Sequence, residues 1–456
     1  MSGGFKSGFR ETARIAIEDV ELIRSVETAT GRFRLGRESA LAELPEADAM
    51  RDHFKQIRAA TLSNLKNHLQ IFEANAQAAG VQVHFARNAE AARRIILDLA
   101  RERGATLAAK SKSMTTEEIH LNPALEAGGV RPVETDLGEW IVQLAGEAPA
   151  HIIAPAINKT KEQVADLFRE ESGDEIPAEI PALTAQARRR LRETFLEAGI
   201  GISGGNLAVA ETGSVVLVTN EGNGRMVTSL PPIHVAVLGI EKIAPTWAEA
   251  GVWLSLLARS ATGQPLSIYT SILTGPKQYA DIDGPEEVHV VFLDNGRSKL
   301  LGTKYEEILQ CIRCGACLNV CPVYRSAGGH AYRGETGPPS PYSGPIGAVV
   351  TPLLFGLEDH KQLPQASSLC GACLDVCPVR IDLPRMLVEL RRDSVEAGLD
   401  GAGTAAVTRL AARAFGGKRM LGLAARLARF GRRFVRGNLP RPSKRSFREI
   451  WREQRS

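Results

Sequence analysis

Cys311-Ile312-Arg313-Cys314-Gly315-Ala316-Cys317-Leu318-Asn319-Val320-Cys321-Pro322 is followed, further on, by Cys370-Gly371-Ala372-Cys373-Leu374-Asp375-Val376-Cys377-Pro378. These two stretches decide how the rest of the 456-residue chain is read. Three cysteines set three residues apart on a short loop can present thiolates to three corners of one iron–sulfide cubane. A fourth cysteine followed by proline points away and serves the other cubane. Gly315 and Gly371 let the backbone wrap closely around the inorganic core.

The first run is Cys-x2-Cys-x2-Cys-x3-Cys-Pro and the second is Cys-x2-Cys-x3-Cys-Pro, which is the bacterial ferredoxin spacing. With the crossover, Cys311, Cys314, Cys317 and Cys377 form one ligand set, and Cys321, Cys370 and Cys373 form the other. The second set is one thiolate short. Ser367 stands three residues before Cys370, where a further cysteine would stand. That site therefore takes either a three-iron cluster or a four-iron cluster with an oxygen or exogenous ligand at one corner, and spacing leaves both open.

Structural zinc also uses Cys-x2-Cys pairs, but it rarely needs the third close cysteine or the following proline. Disulfides do not suit a chain with no cysteine elsewhere and no sign of secretion. Buried structural cysteines would scatter, whereas all seven fall between Cys311 and Cys377. Because 48 residues separate Cys321 from Cys370, more than a compact β-type ferredoxin requires, an α-helical ferredoxin domain fits better. Helices over residues 305–309 and 383–397 would bracket it.

Working outward, the composition is 44% hydrophobic and 24% charged, that of a globular chain. There is no uninterrupted apolar run of about 18 residues and no secretory signal at the N-terminus, so a cytoplasmic location is expected. The net charge of +4 is uneven. From Arg409 onward there are fifteen Lys or Arg against Glu449 and Glu453, a net of +13 that leaves the remainder at −9. An acidic body argues against a nucleic-acid binder. Residues 421–434 alternate apolar positions with Arg426, Arg429, Arg432 and Arg433, as a basic amphipathic helix would. Partner docking is the expected role of this tail, with membrane contact at most peripheral.

Ahead of the cysteines, residues 12–25 and 47–78 carry helical periodicity, the latter closed by Gly80. Short β-rich apolar segments follow at residues 81–85, 105–109, 151–154, 215–218, 235–240 and 288–293. Helical stretches at 89–103, 160–170 and 185–198 lie between several of them. Strands alternating with helices favour an α/β domain with a parallel or mixed sheet covered on both faces. The expected organisation is a helical segment over 1–80, an α/β domain over 81–297, a helical ferredoxin domain over 298–395 and a basic helical tail over 396–456.

Polar and glycine-rich segments cluster near the expected strand ends, where open α/β sheets bind ligands. The candidate pocket residues are Lys110, Lys112, Glu134, Asp136, Gly204, Gly205, Asn206, Glu211, Thr212, Asn220 and Glu221, with the two lysines as anion contacts. Gly201 to Gly205 is off-register for a dinucleotide fingerprint. His120, His151 and His234 read as structural histidines, and no catalytic residue is identified.

The segments SKSMTTEEIHLN (Ser111 to Asn122), ETDLGEWIVQL (Glu134 to Leu144), GISGGNLAVAETGSVVLVTNEGNGR (Gly201 to Arg225) and SSLCGACLDVCPV (Ser367 to Val379) together resemble the iron–sulfur lactate utilization protein B family. The resemblance covers nearly the whole chain. It implies an N-terminal domain similar to the ribose-phosphate isomerase and CoA-transferase fold, a mixed sheet with flanking helices, followed by a two-cluster ferredoxin segment. It further implies a cytoplasmic complex with two sister proteins that oxidises L-lactate to pyruvate, this chain supplying two four-iron clusters on seven cysteines. The alternatives are an enzyme of the α/β domain acting on a CoA- or phosphate-bearing ligand, a subunit of another 2-hydroxy-acid oxidoreductase, and a zinc-dependent scaffold.

Overall fold

A computed structural model describes residues 8–333, 339–399, 401–417, 420, 422–423 and 450–452. It divides into two compact units, Met1–Arg391 and Arg392–Ser456. In the second unit the described part is helical, with the end of a helix over Leu383–Glu396 and a further helix over Gly401–Phe415. The expected amphipathic segment at 421–434 lies almost wholly outside the described residues.

Among the described residues of the first unit, ten strands form two sheets: β1 (Gln82–Ala86), β2 (Leu107–Lys110), β3 (Arg131–Glu134), β4 (Ile200–Gly204), β5 (Leu207–Val209), β6 (Ser214–Thr219), β7 (Ile233–Gly239), β8 (Ile243–Ala244), β9 (Tyr269–Leu273) and β10 (Glu287–Leu293). Six make a wholly parallel sheet in the order β1-β10-β7-β4-β2-β3. The other four make a separate mixed sheet, β8-β5-β6-β9. Strands buried on both faces are apolar at consecutive positions, and β7 shows why. Its Val235 and Val237 join one core with Val291 and Leu293 of β10. Its Ala236 and Leu238 point the other way, into a core shared with Val290 and Phe292.

Several expectations are corrected. Residues 151–154 form no strand; they lie in the connection before the helix Lys161–Ser172. Gly201 to Asn206, one of the glycine-rich segments expected near strand ends, is itself strand β4 as far as Gly204, fully buried. The helical stretch 12–25 is two helices, Phe9–Ala16 and Val20–Ala42, the second capped by Asp19, whose carboxylate accepts from Leu22 N–H at 2.9 Å. The stretch 47–78 is also two, Ala47–Ser63 and Leu65–Ala78, and Gly80 follows at φ +88°.

The cysteine region contains the helices Ala316–Val320, Pro322–Ala327, Gly344–Phe355 and Ala372–Asp375, and among the described residues from 298 to 396 there is no strand. Its apolar residues Ile308, Leu318, Tyr324 and Ile346 belong to the same core as Leu207 and Val216 of the second sheet. The two regions also meet at residues 148–154. Tyr324 Oη donates to Ala150 O at 2.9 Å, and His151 Nε2 lies 3.1 Å from Asn319 Oδ1. Among the described residues no helix is long and apolar enough to cross a membrane.

Candidate iron–sulfur centres and the adjoining cavity

Each cysteine run folds by the same local rules. Arg313 (φ +57°) and Gly315 (φ +75°) turn the first loop into the helix Ala316–Val320. Leu369 (φ +55°) and Gly371 (φ +86°) turn the second into Ala372–Asp375. The parallel extends to the missing thiolate. Arg313 N–H donates to Cys311 Sγ at 3.4 Å, and Leu369 N–H donates to Ser367 Oγ at 3.1 Å. Ser367 thus occupies the backbone slot of Cys311, with its oxygen where the first loop has sulfur. Pro322 and Pro378 follow the outer cysteines. Cys321 Sγ accepts from Tyr324 N–H at 3.5 Å and Cys377 Sγ from Ile381 N–H at 3.4 Å, which fixes both side chains.

The sulfurs fall into the two crossed sets. One chamber is lined by Cys311, Cys314, Cys317 and Cys377, with Ile152, Ile346, Val379 and Leu383 around them. Burial pushes the Cys314 thiol up to about 12, with Cys377 and Cys311 adding to the rise. It pushes Cys377 to about 11 despite the Ile381 N–H. In the second set, burial, then Cys321 and Cys370, push Cys373 to about 12. Cys317 is raised by burial first, then by Cys314 and Cys311 of its own loop, then by Cys373 and Cys377. Thiols held this way ionise when a cation compensates them, and iron would do so. Among the described residues no three His, Cys, Asp or Glu converge on one ion. Thiolates around a cubane bind different irons and stand further apart than zinc ligands. Among these cysteines Cys370 is exposed, Cys314, Cys321 and Cys373 are buried, and Cys311, Cys317 and Cys377 are half-buried.

A feature that sequence reading missed is the basic frame of the first set. Arg51, Lys55 and Arg58, spaced i, i+4, i+7 on one face of Ala47–Ser63, all reach carbonyls of the cysteine region. Arg51 donates to Cys377 O at 2.8 Å and also to Asp375 O. Lys55 donates to Arg380 O at 2.9 Å and Arg58 to Leu309 O at 3.1 Å. Arg37, on the preceding helix, donates to Val376 O at 2.8 Å. Burial lowers the Arg58 pKa to about 10, and its guanidinium lies 4.4 Å from the Trp253 ring centroid. The spacing was visible as a cationic stripe, but nothing local distinguishes such a stripe from a solvated face.

A cavity of about 430 Å³ adjoins the thiol chamber, and Ile152, Ile312 and Arg313 line both. Of the candidate pocket residues, Lys112, Asp136, Gly204, Gly205, Asn206, Asn220 and Glu221 line it. Lys110, Glu134, Glu211 and Thr212 do not. Lys110 is buried in an ion pair with Glu134 and a hydrogen bond to Asn122, so it is no free anion contact. Glu211 accepts from Trp247 N–H at 2.9 Å, and the Thr212 and Ser214 hydroxyls lie 2.9 Å apart. Lys112 Nζ donates to Ile153 O at 2.5 Å.

None of His120, His151 and His234 lines the cavity. His151 Nδ1 accepts from Ile153 N–H at 3.0 Å, and burial with the Lys112 charge lowers its pKa to about 3. His234 is buried against Ser203, and His120 is lowered chiefly by burial. Lys242 and Arg313, both lining the cavity, were not anticipated. Lys242 Nζ donates to Cys311 O at 2.7 Å, and the Arg313 guanidinium lies 4.5 Å from the Tyr342 ring centroid. Tyr342 Oη in turn donates to Glu118 at 2.6 Å, and Glu118 pairs with Arg297 at 2.7 Å.

The LUD domain family matches residues 69–293 and the 4Fe-4S dicluster domain family matches residues 307–381. Lactate utilization protein B of Shouchella clausii (strain KSM-K16) is 48% identical over 385 residues, covering 84% of this chain and 80% of the relative. The protein of that name from Bacillus subtilis (strain 168) is 47% identical over 410 residues, covering 90% and 84%. An uncharacterized electron transport protein, YkgF, from Escherichia coli (strain K12) is 47% identical over 391 residues, covering 86% and 81%. Among solved structures, a DUF162 family protein from Deinococcus radiodurans matches at a TM-score of 0.27 and 12% identity, over 50% of this chain and 98% of that one. With nearly half the residues shared across more than four-fifths of its length, the chain belongs to the lactate utilization protein B family.

Proposed function

We propose that the chain is the electron-transfer subunit of a cytoplasmic complex with two sister proteins that oxidises L-lactate to pyruvate. Cys311, Cys314, Cys317 and Cys377 would hold a first four-iron cluster. Cys321, Cys370 and Cys373 would hold a second, with the Ser367 oxygen or an exogenous ligand at its fourth corner, or a three-iron cluster in its place. The large domain would take the ribose-phosphate isomerase and CoA-transferase type of fold. The observation that carries the reading is the crossed grouping of the sulfurs, Cys377 with the first loop and Cys321 with the second.

Lactate oxidation releases two electrons and two protons, and a bound cluster exchanges one electron at a time, so a pair suits the stoichiometry. The residues divide the labour. Arg51, Lys242 and Arg313 set positive charge about the first site, which favours its reduction. The exposed Cys370 gives the second site access to a partner at the surface.

Replacing Cys314 with Ser is expected to bleach about half of the visible iron–sulfur absorption, one cluster of two, and to abolish lactate-dependent growth. Growth at the parental rate would refute the role.

A further inference from the structure

The cavity beside the first cysteine set has the makings of a ligand site coupled to that set. At about 430 Å³ it falls in the range of small-molecule pockets. Phe33, Leu257, Ala258 and Ala261 supply apolar wall for the body of a ligand. Two cationic groups stand on the side shared with the thiol chamber. Arg313 carries a buried Nη1 with no hydrogen-bond partner, and leaving such a donor unmet costs free energy until an acceptor reaches it. Lys242 uses one hydrogen on Cys311 O, which leaves two on the same ammonium. The nearby carboxylate, Glu241, is already drawn to Arg297, 2.7 Å away. The two carboxylates that line the cavity, Asp136 and Glu221, act on Lys112, which leaves Arg313 and Lys242 as the groups open to an incoming anion.

We propose that this cavity binds a small organic anion, carboxylate- or phosphate-bearing, through Arg313 and Lys242, and that its occupancy sets the reduction potential of iron held by Cys311, Cys314, Cys317 and Cys377. The proposal rests on the iron–sulfur reading for its second half only. An anion placed against these two cations cancels charge that favours an electron on the neighbouring cluster, so binding moves the first midpoint to a more negative potential. By linkage the oxidised protein binds the anion more tightly than the reduced protein. The second set shares no wall with the cavity and is left almost unmoved.

The test uses anaerobically purified full-length protein with pyruvate and inorganic phosphate as separate probes. Calorimetry measures binding, and redox titration followed by electron paramagnetic resonance reads both midpoints. We expect at least one probe to bind and to shift the first midpoint negatively. Lys242→Gln is expected to weaken binding about tenfold, the loss of one charge-assisted hydrogen bond. Ala261→Leu, on a helix that supplies no cysteine, is expected to block binding by filling the cavity while leaving both clusters in place. Saturable binding that moves neither midpoint, binding untouched by both variants, or binding of neither probe would overturn the proposal. Protein that binds the anion normally, and loses it in the variants, yet holds no iron would fail the iron–sulfur reading and leave the anion site standing.

Discussion

At the scale of single residues, Ser367 is the position where chemistry and geometry meet most closely. Its place three residues before Cys370 was readable from spacing. Its hydrogen bond from Leu369 N–H, matching that from Arg313 N–H to Cys311, was not. Ser367→Cys is expected to convert the second site to a fully thiolate-ligated four-iron cluster. Iron per chain would stay level or rise by one, and the second midpoint would move negatively, since a thiolate donates more charge than a hydroxyl. An unchanged second-site spectrum would contradict this. His234 makes a different test. Burial, reinforced by His289, lowers its pKa to about 3 from an ordinary 6.5. The unfolded chain therefore takes up a proton there before the folded one does. The stabilisation is complete above about pH 6.5 and is lost as pH falls toward 3, amounting to about 2 kcal/mol by pH 5. His234→Gln is expected to flatten the loss of unfolding free energy between pH 7 and pH 5 by about that amount; parallel curves for variant and parent would refute it.

At the scale of elements, long apolar runs such as β7 and β10 were legible because both their faces are buried, and the helix Ala89–Glu102 because its apolar face repeats with the helical period. β4 was hidden by its glycines. Glycine at a sheet centre normally argues for a loop, but here it admits close packing. A Cβ on Gly201 would stand 2.0 Å from Val227 O, and one on Gly204 would stand 2.7 Å from Ser113 Oγ. Gly201→Ala is expected to cost about 3 kcal/mol in chemical denaturation. Gly31, inside the helix Val20–Ala42 with nothing within 4 Å, is the control. There alanine should stabilise by about 1 kcal/mol. Equal effects at the two positions would show that packing about β4 is looser than described. The segment 151–154 misled in the opposite sense, since its apolar residues are buried by docking against the cysteine region rather than by strand pairing.

At the scale of the whole molecule, the large domain and the cysteine region are one packed body rather than beads on a linker. The core running from Val216 to Ile346, and the chain of contacts from Arg313 through Tyr342 and Glu118 to Arg297, join them. None of this could be read from composition, because it depends on residues hundreds of positions apart. Arg51 and Cys377 are an instance. The grouping of Cys377 with Cys311, Cys314 and Cys317 was legible, since proline and cysteine spacing carry it locally. The cavity was legible in part, because Lys112, Asp136 and Glu221 sit at element ends, whereas Lys242 and Arg313 enter it only through the docking of the two regions.

The most direct measurement is electron paramagnetic resonance of anaerobically purified Cys377→Ser beside Cys314→Ser and Cys373→Ser. We expect the spectrum of Cys377→Ser to match that of Cys314→Ser, although residue 377 belongs to the second motif, with the remaining cluster intact. A match to Cys373→Ser, or parent protein devoid of iron and acid-labile sulfide, would contradict the crossed arrangement of the two centres.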